Sequence, residues 1–203
     1  ADTFAGAANY VNAISSKGFL QSFWYSTLIT VTSVALILLC CSMCAWYITR
    51  VNSLMSKAMY YLCVFSMVVP FQMVMFTLSL VADRTKLNTP WGIIIIYLGF
   101  GAGLAVFMFC GFVKSIPLEI EEAAMIDGCG KFRILLQIVL PASKAVLATV
   151  GLFYGVTMWN QYEHPMMFIQ NMDLFPLQMK IRSIVDGGSE LQAITMMQTA
   201  NYT

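Results

Sequence analysis

The chain has 203 residues, is 59% hydrophobic and 10% charged, and carries a formal net charge of +1, with a mean hydropathy of +0.75. A soluble domain is roughly half apolar and a quarter charged, so this balance excludes an ordinary water-soluble globule and points to a membrane protein. Near-neutrality carries no signal for nucleic acid, and fifteen methionines and fourteen phenylalanines suit lipid-facing and helix-packing surfaces.

The first twenty or so residues are small, polar and mildly amphipathic, and read as a loop or short surface helix leading into the membrane. Phe23–Thr49 is then an uncharged run longer than the roughly 20 apolar residues that a spanning helix needs. It is too long for a signal peptide and has no basic cluster before it. Cys41 and Cys44 within it have C-x-x-C spacing. A metal or redox reading needs a second pair, nearby histidines or a thioredoxin-like context. The single histidine, His164, is far along the chain. The cysteines therefore read as small packing residues, with no metal site expected.

A short polar turn, Arg50 to Lys57, leads to a second run, Ala58–Ala82. Pro70 in its middle predicts a kink, because proline removes a backbone donor and crowds the carbonyl four residues back. Gln72 follows closely. A mid-span amide beside a kink fits a solute pathway, where freed backbone groups find polar company, or helix packing alone. The turn Asp83 to Pro90 precedes a third run, Trp91–Val113, with glycines four apart at Gly99 and Gly103. Gly151 and Gly155 repeat that spacing in a fourth run, Ile138–Trp159, which is apolar apart from Lys144. Such pairs predict faces on which helix backbones approach closely in lipid. The Gly99–Gly103 run has the wrong spacing and setting for a nucleotide fingerprint. Four spans result.

Alternation puts Arg50, Lys57, Lys114, Lys131 and Arg133 on one side, and Lys17, Arg84, Lys86, Lys180 and Arg182 on the other. Five basic residues against five leave the positive-inside rule without a decision, although Lys144 tips the first side slightly. An intramembrane enzyme needs ionisable groups facing one another inside the spans. The only charge within a span is Lys144, close enough to an end to snorkel, so no catalytic residue is expected.

Between the third and fourth spans lies a dense polar island, residues 115–138. Pro117 is placed to open a helix, and Glu119, Glu121 and Glu122 fall in its first turns, where the helix dipole favours negative charge. Ala123 and Ala124 continue it, and Gly128 permits the left-handed residue that ends it. Phe132, Leu135, Leu136 and Val139 then recur at helical spacing. The prediction is a short surface helix, a sharp glycine turn and a second helix.

The order Glu122-Ala123-Ala124, Gly128, Ile138-x-Leu140-Pro141 resembles, position for position, the EAA loop of binding-protein-dependent ABC importer permeases. Ala8 to Val11, Gly18-Phe19, Asp127 before the glycine, and Trp159-Asn160 are similar to the carbohydrate branch, of the maltose-transporter type. Cys129 stands where alanine is usual. The resemblance covers most of the chain, strongly at 117–141.

It implies an all-α, polytopic transmembrane permease in a bacterial plasma membrane, here lacking that family's first and last helices. The island would be the cytoplasmic coupling loop, and residues 160–203 an extracytoplasmic loop meeting the solute-binding protein. Glu121, Glu122, Ala123, Ala124, Asp127, Gly128, Ile138, Leu140 and Pro141 would couple to the ATPase, with Glu122 pairing a basic group on it. The implied partners are ATP-binding cassette ATPase subunits, a second permease subunit, a solute-binding protein and lipid. No cofactor is bound directly, since ATP is used by the partner. Transport would proceed by alternating access. Gln72, Tyr154, Trp159 and Asn160 are candidate solute contacts, and interface anchoring explains Tyr154 and Trp159 as well. The cargo is expected to be a sugar or oligosaccharide; an amino acid, phosphate, polyamine or peptide is the alternative.

Overall fold

A computed structural model describes residues 18–169, 174–183 and 185. The segment Ala8 to Val11, Lys17 and the Gly187-Gly188 pair lie outside the described residues. Those described are helical and contain no strand. Helix α1, Phe19–Arg50, has 32 residues, about 48 Å at 1.5 Å per residue. Its buried face runs Ser22, Ser26, Thr30, Ser33, Ile37, Cys41 and Ala45, at intervals of three or four. These residues are mostly small, so a second helix can lie close. That helix is α4, Pro90–Val113, started by Thr89, whose Oγ1 accepts the Gly92 N–H (3.2 Å), with Pro90 in the first turn. A Cβ on Gly101 would lie 2.6 Å from Ile37 Cδ1, and the Cys110 thiol approaches the Ala45 carbonyl at 3.7 Å. In lipid such packing holds helices together, since hydrocarbon surroundings offer no hydrophobic drive between them. The C-terminal ends of α1 and α4 meet at one end of the bundle, the loop end, where Arg50 Nη2 donates to the Ile116 carbonyl (2.9 Å).

The second run is not one kinked helix. It is α2, Leu54–Ser66, and α3, Phe71–Arg84, set at 106°. Proline disfavours helical backbone at the preceding residue, Val69. Pro70 itself is extended (φ −68°, ψ 144°) and caps α3. Each half, with 13 and 14 residues, reaches only about 20 Å, short of a hydrocarbon core of about 30 Å. Tyr60 of α2 lies beneath the Lys114 ammonium at the loop end, while α3 ends five residues before α4 begins at the far end. The bent pair therefore crosses the bundle as a unit.

The fourth run is also corrected. Leu118–Ile126 forms α5. A second surface helix, α6, covers Lys131–Ala142, with a π-helical turn at Leu135–Val139. It meets α7, Lys144–Asn160, at 77°. Pro141 supplies no N–H to close the preceding turn, and a widened π turn accommodates such a defect. At the break, buried Ser143 donates its hydroxyl to the Val139 carbonyl (2.7 Å). Ile138, Leu140 and Pro141 thus lie on the surface helix, and the span begins at Lys144. It returns to the far end, where Trp159 meets Phe23 edge-on at 5.7 Å.

The described tail packs back onto the bundle. Helix α8, Glu163–Phe168, places His164 among Phe71, Tyr97 and Phe100, with ring centroids 4.0, 5.5 and 5.6 Å away. Neither buried imidazole nitrogen has a hydrogen-bond partner among the described residues. Farther on, the Leu177 N–H donates to Ser26 Oγ of α1 (2.7 Å).

Of the two glycine pairs, one position makes the close backbone approach expected. A Cβ on Gly103 would stand 2.7 Å from the Cys63 carbonyl and 2.6 Å from Ser66 Oγ, whereas Gly99 and Gly155 face open space and Gly151 meets only Leu38, at 3.4 Å. Gly92 and Gly101, outside both pairs, are the other tight positions, against the Leu87 backbone and the Ile37 side chain. Gly103→Val should therefore destabilise the protein by about 1–3 kcal/mol through overpacking against backbone that cannot yield. Gly99→Ala should be near neutral. Thermal unfolding of the two variants in detergent checks the contrast.

Candidate functional site

The polar island is an ordered platform at the loop end. Pro117 caps α5 instead of opening it, so the helix starts at Leu118, one residue later than the sequence suggests. Asp127 caps the C-terminus, and Gly128 takes the left-handed conformation (φ +84°). The Gly128 N–H bonds the Met125 carbonyl (3.0 Å) and the Cys129 N–H bonds the Ala124 carbonyl (2.9 Å). That pair of bonds is a Schellman closure, which satisfies the orphan carbonyls of the helix end. The chain then reverses into α6. Ala124, Cys129, Ile138 and Leu140 pack with Val113, Ile116, Ile134, Leu135 and Val139 in a small apolar core beneath the platform. Met43 and Trp46 of α1 close it from the bundle side.

One polar contact ties the platform down. Glu121 is buried, 3% exposed. Arg50 brings Nε (2.8 Å) and Nη2 (2.6 Å) to its Oε1, and Trp46 Nε1 donates to Oε2 at 2.9 Å. Arg50 also holds the Ile116 carbonyl. Both carboxylate oxygens and much of the guanidinium are thus satisfied, as a buried pair requires. The adjacent Glu122 is exposed, as are Ala123, Asp127, Gly128 and Pro141. Around them Met125, Ile126 and Phe132 stand out from the surface, Ile126 at 87% and Phe132 at 68% exposure. The platform therefore presents exposed Glu119, Glu122 and Asp127 among exposed apolar side chains, while Glu121 faces inward.

The candidate solute contacts do not converge on one cavity. The Tyr154 hydroxyl donates to the Gly101 carbonyl (2.7 Å) and ties α7 to α4. It borders a space of about 160 Å³ with Tyr97, Phe100, Thr157, Gln161 and His164. Trp159 packs on Phe23. Asn160 donates to the Val156 carbonyl (2.9 Å) and accepts from Gln178 (3.3 Å). Gln72 is exposed on the first turn of α3. Trp46 and Arg50, the partners of Glu121, were missed as site residues. Arg50 is the basic residue that ends the first uncharged run, but nothing in the sequence pairs it with a glutamate 71 positions later. Among the described residues no His, Cys, Asp or Glu cluster could hold a metal ion.

Two continuous apolar spans and two bent helix pairs, with a glycine-turned platform at one end, describe an all-helical, multi-pass membrane protein. The chain belongs to the family of binding-protein-dependent transport system inner membrane components, whose profile matches residues 37–195. It is an inner-membrane protein.

It is similar to the probable starch degradation products transport system permease protein of Thermoanaerobacterium thermosulfurigenes, with 36% identity over 79% of this chain and 59% of the relative. It is also similar to the multiple sugar-binding transport system permease protein of Streptococcus mutans, with 34% identity over 72% of this chain and 54% of the relative. The diacetylchitobiose uptake system permease protein of Streptomyces coelicolor is 30% identical over 83% of this chain and 56% of its own length. The chain thus spans between half and two thirds of each of these relatives. A solved bacterial ABC transporter involved in the import of the acidic polysaccharide alginate has the same fold, with a TM-score of 0.76 over 86% of this chain and 61% of that one, at 23% identity.

Removing one member of a buried ion pair strands the other charge, at a cost of about 3 kcal/mol or more. Glu121→Ala and Arg50→Ala should each destabilise the protein to that degree. The double variant should lose clearly less than the sum, because the two losses share one cause. Thermal or denaturant unfolding of all three variants in detergent measures the coupling.

Proposed function

We propose that this chain is the transmembrane subunit of an ATP-driven, binding-protein-dependent importer of a sugar or oligosaccharide. One observation carries the reading: the platform exposes Glu122 one helical turn before exposed Ile126, while Glu121 anchors the same helix to α1. Such a surface suits docking into a cleft on a separate ATPase, with a basic group there receiving Glu122. The permease names of the relatives support the class, and their sugar-related names support the cargo. The extracytoplasmic binding protein and a second permease subunit belong to the same proposal, as does the placing of the loop end in the cytoplasm.

In this reading the permease hydrolyses nothing. Its contribution is mechanical, because an ATPase shifts the spans only through contacts that differ between states. Displacing α5 drags the Arg50 end of α1 through the Glu121 pair. It also drags the end of α4 through the apolar core at Val113 and Ile116. The spans would then exchange inward-open and outward-open arrangements. Glu122, Ala123, Ala124, Asp127 and Gly128 form or shape the docking face. Glu121, Ile138 and Leu140 act behind it as positioning residues. Solute contact by Tyr154, whose hydroxyl is already committed, would use its ring face.

Glu122→Lys should release the ATPase subunits or uncouple ATP hydrolysis from uptake, with the permease still inserted. The loss should be on the order of 2–5 kcal/mol if the charge is desolvated on docking. Gly128→Val should do the same by straining the left-handed turn. Co-purification of the ATPase and uptake into proteoliposomes are the measurements, and normal retention with coupled uptake in both variants sinks the coupling assignment. For the cargo, the binding protein that co-purifies should gain thermal stability with a saccharide. Stabilisation by an amino acid instead overturns the sugar assignment.

A further inference from the structure

The loop end holds a second feature, which the docking platform does not use. Between α1, α2 and α4 lies a cavity of about 390 Å³, lined by Thr49, Asn52, Ser56, Lys57, Tyr60 and Lys114 among others, with no acidic residue in its wall. Among the described residues neither Lys57 nor Lys114 forms an ion pair; the pair at this end joins Arg50 to Glu121. Lys114 Nζ instead sits 5.7 Å from the centroid of the Tyr60 ring, a cation–π contact that fixes the ammonium at the cavity edge. The cavity thus offers two positive charges, hydroxyls and an amide, and no negative charge.

A second space, of about 480 Å³, adjoins it. Tyr60 and Lys114 line both, and from them the second space runs between α4 and α7 past Phe107, Met108, Phe112 and Val146. Polar, cationic surroundings therefore give way to an apolar groove alongside the spans. This is the order of chemistry along a phospholipid: phosphate at the interface, acyl chain beneath. Basic pockets between helices near a membrane surface take anionic headgroups. The groove adds fit more than energy, because bulk lipid is equally apolar.

We propose that this double cavity binds one anionic phospholipid, its phosphate between Lys57 and Lys114 and one acyl chain along the groove. The assignment to the cytoplasmic leaflet rests on the proposed orientation of the loop; the binding itself does not. An ammonium near a membrane surface favours an anionic lipid by about 1 kcal/mol, roughly fivefold for each lysine.

The test uses the full-length protein in its assembled complex, delipidated in detergent and titrated with phosphatidylglycerol or phosphatidylcholine while bound lipid is counted by native mass spectrometry. One phosphatidylglycerol should be retained about 25-fold more tightly than phosphatidylcholine. Lys57→Gln and Lys114→Gln should each reduce that preference about fivefold, and together abolish it. An unchanged melting temperature in the double variant shows that the fold survives. Equal retention of the two lipids overturns the proposal, as does an undiminished preference in the double variant. Displacement of phosphatidylglycerol by millimolar inorganic phosphate also overturns it, by identifying a free-anion site. Because lipid is counted directly, normal binding alongside a failed Glu122 experiment would separate this site from the coupling assignment.

Discussion

A single buried carboxylate organises the loop end. Glu121 lies where water cannot solvate it, and an unpaired charge there is intolerable. Its oxygens are satisfied by Arg50 and Trp46, both from the last turns of α1. The contact therefore does more than add modest stability, since a hydrophobic replacement of similar volume often matches a buried pair. It specifies one position for α5 over the end of α1, and the Arg50 bond to Ile116 extends that registry to the end of α4. The outward direction of Glu122 follows from it, because neighbouring residues on a helix point about 100° apart.

Two discontinuities offset this rigid corner. Neither α2–α3 nor α6–α7 is a continuous rod, and both bend sharply, by 106° and 77°. Broken backbone is tolerated at membrane depth only where protein or a cavity satisfies it. At Pro70 the bend is filled from the tail, where His164 enters among Phe71, Tyr97 and Phe100. At Ser143 the side-chain hydroxyl caps a freed carbonyl internally. The elements without breaks are α1 and α4, the two that the Glu121 pair and its apolar core hold to the platform.

Spans without polar interruption were legible in the chain alone. Phe23–Thr49 and Trp91–Val113 match α1 and α4 within a few residues, because an uncharged run has one stable solution in lipid. The turn at Gly128 was legible too, since helix, glycine and reversal are local chemistry. Pro70 announced a disturbance but not its size, because whether a helix kinks or breaks depends on what fills the gap, and His164 comes from 94 positions away. Ser143 announced nothing. Serine is no helix breaker, and a proline without an N–H does not say whether the helix kinks, breaks or widens into a π turn. The division of labour between Glu121 and Glu122 was equally hidden, because their local sequence is the same and only the distant Arg50 and Trp46 distinguish them.

The same logic explains why the glycines were misjudged as pairs. Spacing of four places two residues on one face but does not say that the face meets another helix. Gly103 faces the Cys63 carbonyl at close range, whereas Gly99, one turn earlier, looks into the space opened where α2 diverges from α4 toward the Pro70 break. Contact between α2 and α4 is therefore tight at the last turn of α2 and open beyond it. Thus α2 is held to α4 through its last turn, and beyond Gly103 the chain turns away at the Pro70 break. The platform is tied directly to α1 and α4 through the Glu121 pair, the Arg50–Ile116 bond and the apolar core beneath it. Among the described spans it is at the Pro70 and Ser143 breaks that the backbone gives up its helical continuity, and α1 and α4 carry the contact with the platform unbroken.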